Sequence, residues 1–516
     1  MALKMRLVYV GLSLLMAIHL ASSAKIVIFT MQVSGHLSEF GGVGAALVRR
    51  GHEVHIVLDK HIPKPPQITE SGMKILQYES PNASFVDPIA FDMHMSEVLL
   101  KRPEMVLEEV VRPRIDYDCQ HTLYNKELIE KILEMKFDFA LTDGLFFCYA
   151  LIPYKYNIPF AAVGTPTYSY LTRLHPLLGV DPCHVAHENT FLKRLEMFVT
   201  SIVAEHVPGW FVTESKFMNY APEKPYKSLF DVQRTAALHI LNQNHIVDCP
   251  RPGMPNVVYA GGLNAKPGKP LPKEFEDFVV GAKRGVVVVS FGSMLSELPP
   301  EYARVFIEAF SKLKQRVVWR YIPNGELERV KLPDNVMVSK WLPQNDLLAH
   351  KNTKVFVTHC GSNGQTEAIY HGVPMLGVPI QGDQPYNAYR IVAKGFGLKV
   401  DFRRLNVNEL ITKINKLVDD PTYKTAVSKA SRIFKSQPHP ADHAAYWIEH
   451  VILFGSDHLK TAAHNMTSFQ FLMFDIYAFL TVAVVVALAL LVCLLSSICK
   501  RVIGGSSPKH DSKKNI

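Results

Sequence analysis

Apolar runs of five to nine residues alternate with amphipathic stretches along most of the chain. Residues 25–33 form the first apolar run and read as a buried strand. A turn holding Ser34, Gly35 and His36 follows, then a helical stretch over 37–50 that stops at Gly51, then a second strand over 53–58. Strand, helix, strand predicts a parallel pair. Later strands are predicted over 137–142, ending at Asp143, and over 158–163. Residues 168–234 lose this regularity and carry many aromatics and prolines, the composition of a variable substrate wall. Gly and Pro are dense from Gly261 to Pro272 and predict a boundary.

The second half repeats the alternation more cleanly. Strands are predicted over 285–290, 317–321, 336–341, 355–358 and 375–378. Helices are predicted over 299–313, 344–350, 362–370 and 384–394, an extended stretch over 398–402, and helices through 407–455. Such a pattern is doubly wound, and its ligands bind beyond the carboxyl ends of the strands.

The two ends have a different character. Lys4 and Arg6 precede an apolar run from Leu7 to Leu20 and the small residues Ala21–Ala24, which reads as a secretory signal peptide over 1–24. Residues 476–498 hold no charge, and 23 helical residues extend about 34 Å, enough to cross a bilayer core of about 30 Å. Lys500 and Arg501 follow at once and predict a cytosolic tail over 499–516. Lys513-Lys514-Asn515-Ile516 resembles a di-lysine retrieval signal of the endoplasmic reticulum. Sequons stand at Asn82 and Asn465. The expectation is a single-pass type I membrane protein with a luminal body and contact with membrane lipid.

Charge adds one exclusion. The net +9 of the 516 residues includes +2 from residues 1–24 and +4 from residues 500–516. The remaining +3 is no electrostatic footprint for nucleic acid. The seven cysteines show no C-x-x-C spacing, so zinc ribbons are not expected, and pairing among Cys119, Cys148, Cys183 and Cys249 stays open.

The chemistry concentrates in residues 356–384. A strand ending at His359 is followed by Cys360-Gly361-Ser362-Asn363-Gly364, a turn opening a helix. The unpaired amides of a helix start suit a phosphate. Glu367, one turn on, suits a ribose diol, and Asp383-Gln384 beyond the next strand suits sugar hydroxyls. This spacing, with Trp341-Leu342-Pro343-Gln344 and Ser290-Phe291-Gly292-Ser293, resembles the UDP-glycosyltransferase family. The span, the lysine tail and the 444–449 helix are similar to its membrane-anchored animal branch, the UDP-glucuronosyltransferases.

The resemblance implies a GT-B fold of two Rossmann-like domains facing a cleft, plus the transmembrane helix. Residues 25–262 would hold the acceptor and 274–440 the UDP-sugar, joined by a linker over 263–273 and followed by helices over 441–475. It implies that Trp341 stacks on uracil, Gln344 bonds uracil or ribose, and Ser293 and His359 reach the diphosphate. It places the catalytic base at His36, paired with Asp143 as in a triad. The reaction would be inverting transfer, most readily of glucuronate, to a hydroxyl or carboxyl of a small lipophilic acceptor. UDP-sugar is then a co-substrate, with no cofactor and no metal.

Gln381 stands where many vertebrate glucuronosyl members carry an aromatic, which keeps UDP-glucose or another UDP-hexose as the alternative donor. A non-catalytic regulatory subunit is a further alternative, against which the intact His36 and Asp143 speak. Homo- or hetero-oligomers are left open. Asp116-Tyr117-Asp118, formally D-x-D, follows no clear strand and is read as structural; Gly42 and Gly44 are read as close packing inside a helix; Cys360 receives no nucleophilic role.

Overall fold

The computed structural model describes residues 23–64, 66–82, 94, 98, 102, 105–164, 190–192, 194–196, 198–199, 213–248, 250, 253–292, 298–323 and 331–504. They fall into two compact units, one reaching to Leu459 and the other beginning at Lys460.

The first unit contains two parallel sheets. The first has seven strands: β1 (Lys25–Phe29), β2 (Glu53–Asp59), β3 (Lys74–Tyr78), β4 (Phe139–Asp143), β5 (Phe160–Val163), β6 (Leu238–Leu241) and β7 (Val257–Tyr259). Their order is β3-β2-β1-β4-β5-β6-β7. The second has six: β8 (Val286–Ser290), β9 (Arg316–Arg320), β10 (Val336–Ser339), β11 (Thr353–Thr358), β12 (Met375–Gly377) and β13 (Gly397–Lys399), in the order β10-β9-β8-β11-β12-β13. Each order reverses once, between β1 and β4 and between β8 and β11, which creates a crevice at each reversal. Helices cover both faces, so strands such as Val286–Ser290 are buried throughout and read as continuous apolar runs.

The helices that matter for the site are α1 (Ser34–Arg49), α2 (Arg112–Leu123), α3 (Gln344–Ala349), α4 (Ser362–His371), α5 (Gln384–Ala393), α6 (Pro421–Lys435) and α7 (Pro440–Phe454). In α1 the glycines let other segments approach closely: a Cβ at Gly42 would collide with the Leu263 carbonyl and one at Gly44 with the Met73 sulfur. The chain returns from the second sheet to the first through α7. Ala441, Ala444, Ala445, Ile448 and Val451 of α7 share one core with Ile26, Phe40 and Leu47. Arg49–Asp442 at 2.9 Å and His52–Glu449 at 3.0 Å rim that contact. The docked α7 thus ties the last helix of the unit to its first.

Cys119 of α2 and Cys148 form a buried disulfide, one of the pairings left open by spacing. Cys183 and Cys249 lie outside the described residues. The acids of the D-x-D are occupied structurally: Asp116 accepts from the Lys216 ammonium and the Thr213 N–H, each at 2.7 Å, and Asp118 pairs with Arg114 at 3.1 Å.

In the second unit, α8 (Phe474–Gly504) extends the expected 23-residue span at both ends. Its stretch Phe474–Val502 is long and apolar enough to cross a membrane. The signal-like residues 1–22 and the tail from 505 lie outside the described residues.

Candidate active site

The first wall of the site forms where β1 ends. Residues 30–33 continue the chain from β1, and α1 starts at Ser34, so His36 sits in its first turn at the β1–β4 reversal. Asp143 is the last residue of β4. Its Oδ2 receives His36 Nδ1 at 2.7 Å, the Thr30 hydroxyl at 3.0 Å and the Met31 N–H at 3.2 Å, while Oδ1 receives the Leu145 N–H at 3.0 Å. An ionised carboxylate only accepts, so Nδ1 carries the proton and Nε2 is the basic nitrogen.

Asp143 is 1% exposed and His36 26%. Burial opposes the imidazolium, but the charges of Asp143, Glu39 and Asp383 outweigh it and raise His36 from its ordinary 6.5 to about 9. Burial likewise opposes the Asp143 carboxylate, and the His36 charge with the surrounding donors holds it below the usual range.

The second wall forms at the β8–β11 reversal. His359 directly follows β11, and its ring lies between two glycines: a Cβ at Gly292 would stand 2.6 Å from Nε2 and one at Gly361 2.5 Å. Burial, with the charge of Arg320, pushes His359 down to about 4 against a hydrogen bond to the Ser290 backbone. His359 is therefore a neutral imidazole at physiological pH, a donor without charge. Cys360 turns the chain at φ 70°, and α4 begins at Ser362 with no side chain capping its amides. The backbone N–H groups of Ser362, Asn363 and Gly364 belong to that first turn and have no carbonyl one turn earlier in the helix.

Behind the turn, Glu367 accepts from Gln344 Nε2 at 2.7 Å and from Asn264 Nδ2 at 3.0 Å, and burial raises its carboxyl to about 6. Gly364 faces α3: a Cβ there would touch Gln344 Nε2 at 3.4 Å, an ordinary contact distance. Trp341 is 56% exposed, with the Arg320 guanidinium 5.5 Å from its ring centre. Beyond β12, Gln384 uses its oxygen to accept the Ile380 and Gln381 N–H groups at 2.9 and 3.0 Å, which leaves its NH2 as the donor end. Exposed Asp383 is oriented by Asn387 Nδ2 at 2.6 Å.

The two walls meet at Asn363. Asn363 Nδ2, in the first turn of α4, donates to the Gly35 carbonyl at 3.1 Å, one residue from His36. The structure thus groups His36 with Asp143 on one side and His359, Gly361, Ser362, Asn363, Gly364, Glu367 and Gln344 on the other, with Asp383, Gln384 and Trp341 at the edge of the second sheet. Ser293 lies outside the described residues. Sequence reasoning missed Thr30, Asn264 and Asn387, which hold Asp143, Glu367 and Asp383 in place; Thr30 lies just past β1, Asn264 in the turn after β7 and Asn387 inside α5, with no spacing that marks them. No group of three or more His, Cys, Asp or Glu side chains converges on a metal geometry among the described residues.

A carboxylate-backed imidazole facing an uncapped helix start and a neutral imidazole suits one chemistry: removal of a proton on one side while an anionic group departs on the other. Comparisons agree. Residues 24–508 match the family model described as UDP-glucoronosyl and UDP-glucosyl transferase. UDP-glucuronosyltransferase 2B17 of Homo sapiens is 32% identical over 99% of this chain and 100% of its own length. UDP-glucuronosyltransferase 2B7 of Homo sapiens is 36% identical over 71% of each chain. Among solved structures, the calicheamicin glycosyltransferase CalG4 superposes with TM-score 0.55 at 18% identity, over 83% of this chain and 98% of that one. The spinosyn forosaminyltransferase SpnP does so with TM-score 0.56 at 15% identity, over 84% and 100%. Fold, family match and relatives converge: the chain belongs to the UDP-glucuronosyl and UDP-glucosyl transferase family and is a glycosyltransferase of GT-B architecture.

Proposed function

We propose that the protein transfers glucuronate from UDP-glucuronate to a hydroxyl or carboxyl of a small lipophilic acceptor, with inversion. The observation that carries this reading is the 2.7 Å His36–Asp143 pair set one residue from the Asn363 contact. Nε2 of His36 takes the acceptor proton as the acceptor oxygen attacks the anomeric carbon. The new C–O bond forms as the bond to UDP breaks, and the electron pair leaves with UDP. Asp143 stabilises the imidazolium that results. On the leaving side, Ser293, the neutral His359 and the amides from Gly361 to Gly364 would receive the diphosphate. Trp341 and Gln344 would hold uracil, Glu367 the ribose, and Asp383 with Gln384 the sugar. In this reading residues 25–262 serve the acceptor, residues 274–440 serve the donor, and no step needs a metal.

The printed names of the relatives favour glucuronate, and Gln381 keeps UDP-glucose as the second donor. The apolar α8, the signal-like start and the Lys513-Lys514 ending support a luminal body anchored in the endoplasmic reticulum membrane beside its lipophilic acceptors. Asn82 and Asn465, both exposed, would then be glycan acceptors.

The test is a panel of UDP-sugars offered with several small phenols to microsomes carrying the protein, with His36→Ala alongside. The expected result is a glucuronide by mass spectrometry, absent in the variant. A glucoside instead would reassign the donor. UDP-sugar binding without conjugate from any donor across several acceptors would favour a regulatory subunit.

A further inference from the structure

Glu39 lies one turn after His36 on α1, and the fold is built around its carboxyl group. Oε1 accepts from Asn242 Nδ2 at 2.8 Å. Gly164, at the end of β5, makes room for Oε2: a Cβ there would stand 2.9 Å from it. Asn242 directly follows β6, and its amide cannot flip without loss. Its oxygen accepts the Gly262 N–H at 2.9 Å, while its NH2 serves both Glu39 and Asn363 Oδ1, the latter at 3.2 Å. Asn363 in turn donates to the Gly35 carbonyl. The hydrogen bonds therefore close a ring that leaves α1 at Glu39, passes through Asn242 and the first turn of α4, and returns to α1 beside His36.

We propose that Glu39 is a positioning residue for the transfer: it orients Asn242, which orients Asn363, which fixes the first turn of α4 against His36. Without an acceptor at position 39, Asn242 keeps its oxygen on the Gly262 N–H but loses the closer of the two acceptors of its NH2. Asn363 then loses its own contact with Glu39, and the N–H that Asn242 gives to Asn363 Oδ1 is less firmly aimed, so the Asn363 amide that donates to the Gly35 carbonyl is held less tightly. Because α4 and α1 carry opposite sides of the reaction, a small change in their register lowers the rate far more than it lowers binding. Glu39 also faces His36 electrostatically: Asp143 on β4, Glu39 on α1 and Asp383 beyond β12 are the acids that raise His36, while burial raises Glu39 and the His36 charge opposes that rise.

This inference rests on His36 as the base, and its test separates the two. Glu39→Ala and Glu39→Gln are compared in the full-length enzyme for kcat, donor KM and the pH dependence of kcat. Glu39→Ala is expected to lower kcat by about tenfold or more, with donor KM changed less. Glu39→Gln keeps an oxygen for Asn242 and is expected to recover most of that loss. Both variants remove an acid facing His36, so both pH curves move to lower pH by about half a unit. Unchanged kcat in Glu39→Ala, equal losses in the two variants, or, in an enzyme that His36→Ala inactivates, undisplaced pH curves in both would overturn the proposal. Should Glu39→Ala not fold, the displaced or undisplaced curve of Glu39→Gln decides. A His36→Ala enzyme that stays active would sink the base assignment alone, because the contrast between the two Glu39 variants in kcat would still report on the ring.

Discussion

His36 and His359 stand at the reversal points of the two sheets, and their surroundings move them in opposite directions, His36 to about 9 and His359 to about 4. A pair of titratable groups pushed apart in this way separates a proton acceptor from a neutral donor. His36 works as a base only when neutral, and with its pKa raised the neutral form grows as pH climbs toward about 9. The pH dependence of kcat/KM should therefore rise through the neutral range and level near pH 9. Asp143→Asn removes an attraction that holds the imidazolium, so the rising limb should move to lower pH. Its plateau should fall by about a thousandfold or more, because the tautomer is no longer fixed. A flat profile between pH 6 and the level near 9 in the unaltered enzyme would contradict the assignment.

Gly361 offers a clean test of the His359 wall. Its backbone, φ −60° and ψ 142°, is open to any residue, so Gly361→Ala introduces no backbone strain. The added methyl would stand 2.5 Å from His359 Nε2, and the ring must move. UDP affinity by calorimetry is expected to drop by about tenfold while the melting temperature changes little. Gly292→Ala meets the same ring at 2.6 Å with φ at 78°, so it should also destabilise. Unchanged UDP affinity in Gly361→Ala would remove His359 from the donor site.

The portions of this site that are legible in the sequence are those set by local chain direction. His36, Asp143 and His359 each lie at or just past the end of an apolar run, and Gly361–Glu367 share one helix start. Glu39, Asn242, Asn264 and Asn387 are not legible, because their roles come from partners far away: Asn242 meets Glu39 across 203 positions. The same holds for the fold. Strands β6 and β7 have four and three residues, too short to show a period, and β3, at the sheet edge, buries only its last residue, Tyr78. Docking of α7 onto the first sheet depends on Ala441, Ala444 and Ala445, small residues whose partners lie near the start of the chain. The Cys119–Cys148 pairing is likewise a fact of three-dimensional proximity between α2 and the turn after β4.

Glu367 should make donor binding sensitive to acid. Burial raises its carboxyl to about 6, so the carboxylate form prevails above that pH and is lost as pH falls through it. Protonation removes an acceptor from Gln344, Asn264 and the ribose proposed to bind there. UDP affinity is expected to weaken below about pH 6, and Glu367→Gln should abolish that dependence. Glu367→Ala should weaken UDP binding by about tenfold to a hundredfold, the scale of hydrogen bonds to a charged group. Binding that is independent of pH across this range in the unaltered protein would argue against a role for the carboxylate.

The junction between the two sheets depends on a buried ion pair, and its loss should register as stability. After β6 the chain runs through Asn244–Asp248, and Val247 enters the core of the second sheet with Val286, Leu347 and Ile391. Asp248 pairs there with Arg390 of α5, the two side chains only 4% and 5% exposed. Arg390 also donates to Gln365 Oε1 at 2.9 Å and lies over the Tyr386 ring, 4.9 Å from its centre. Asp248→Ala leaves a guanidinium buried without its carboxylate, a change that costs about 3–5 kcal/mol. Asp248→Asn retains an acceptor and should cost less. Neither substitution touches His36, so the pH dependence of the surviving activity should match the unaltered enzyme at a temperature where both are folded. Urea unfolding of the two variants measures the first expectation and pH–rate curves the second. A loss below about 1 kcal/mol in Asp248→Ala, the scale of an exposed pair, would show that this contact is hydrated rather than buried.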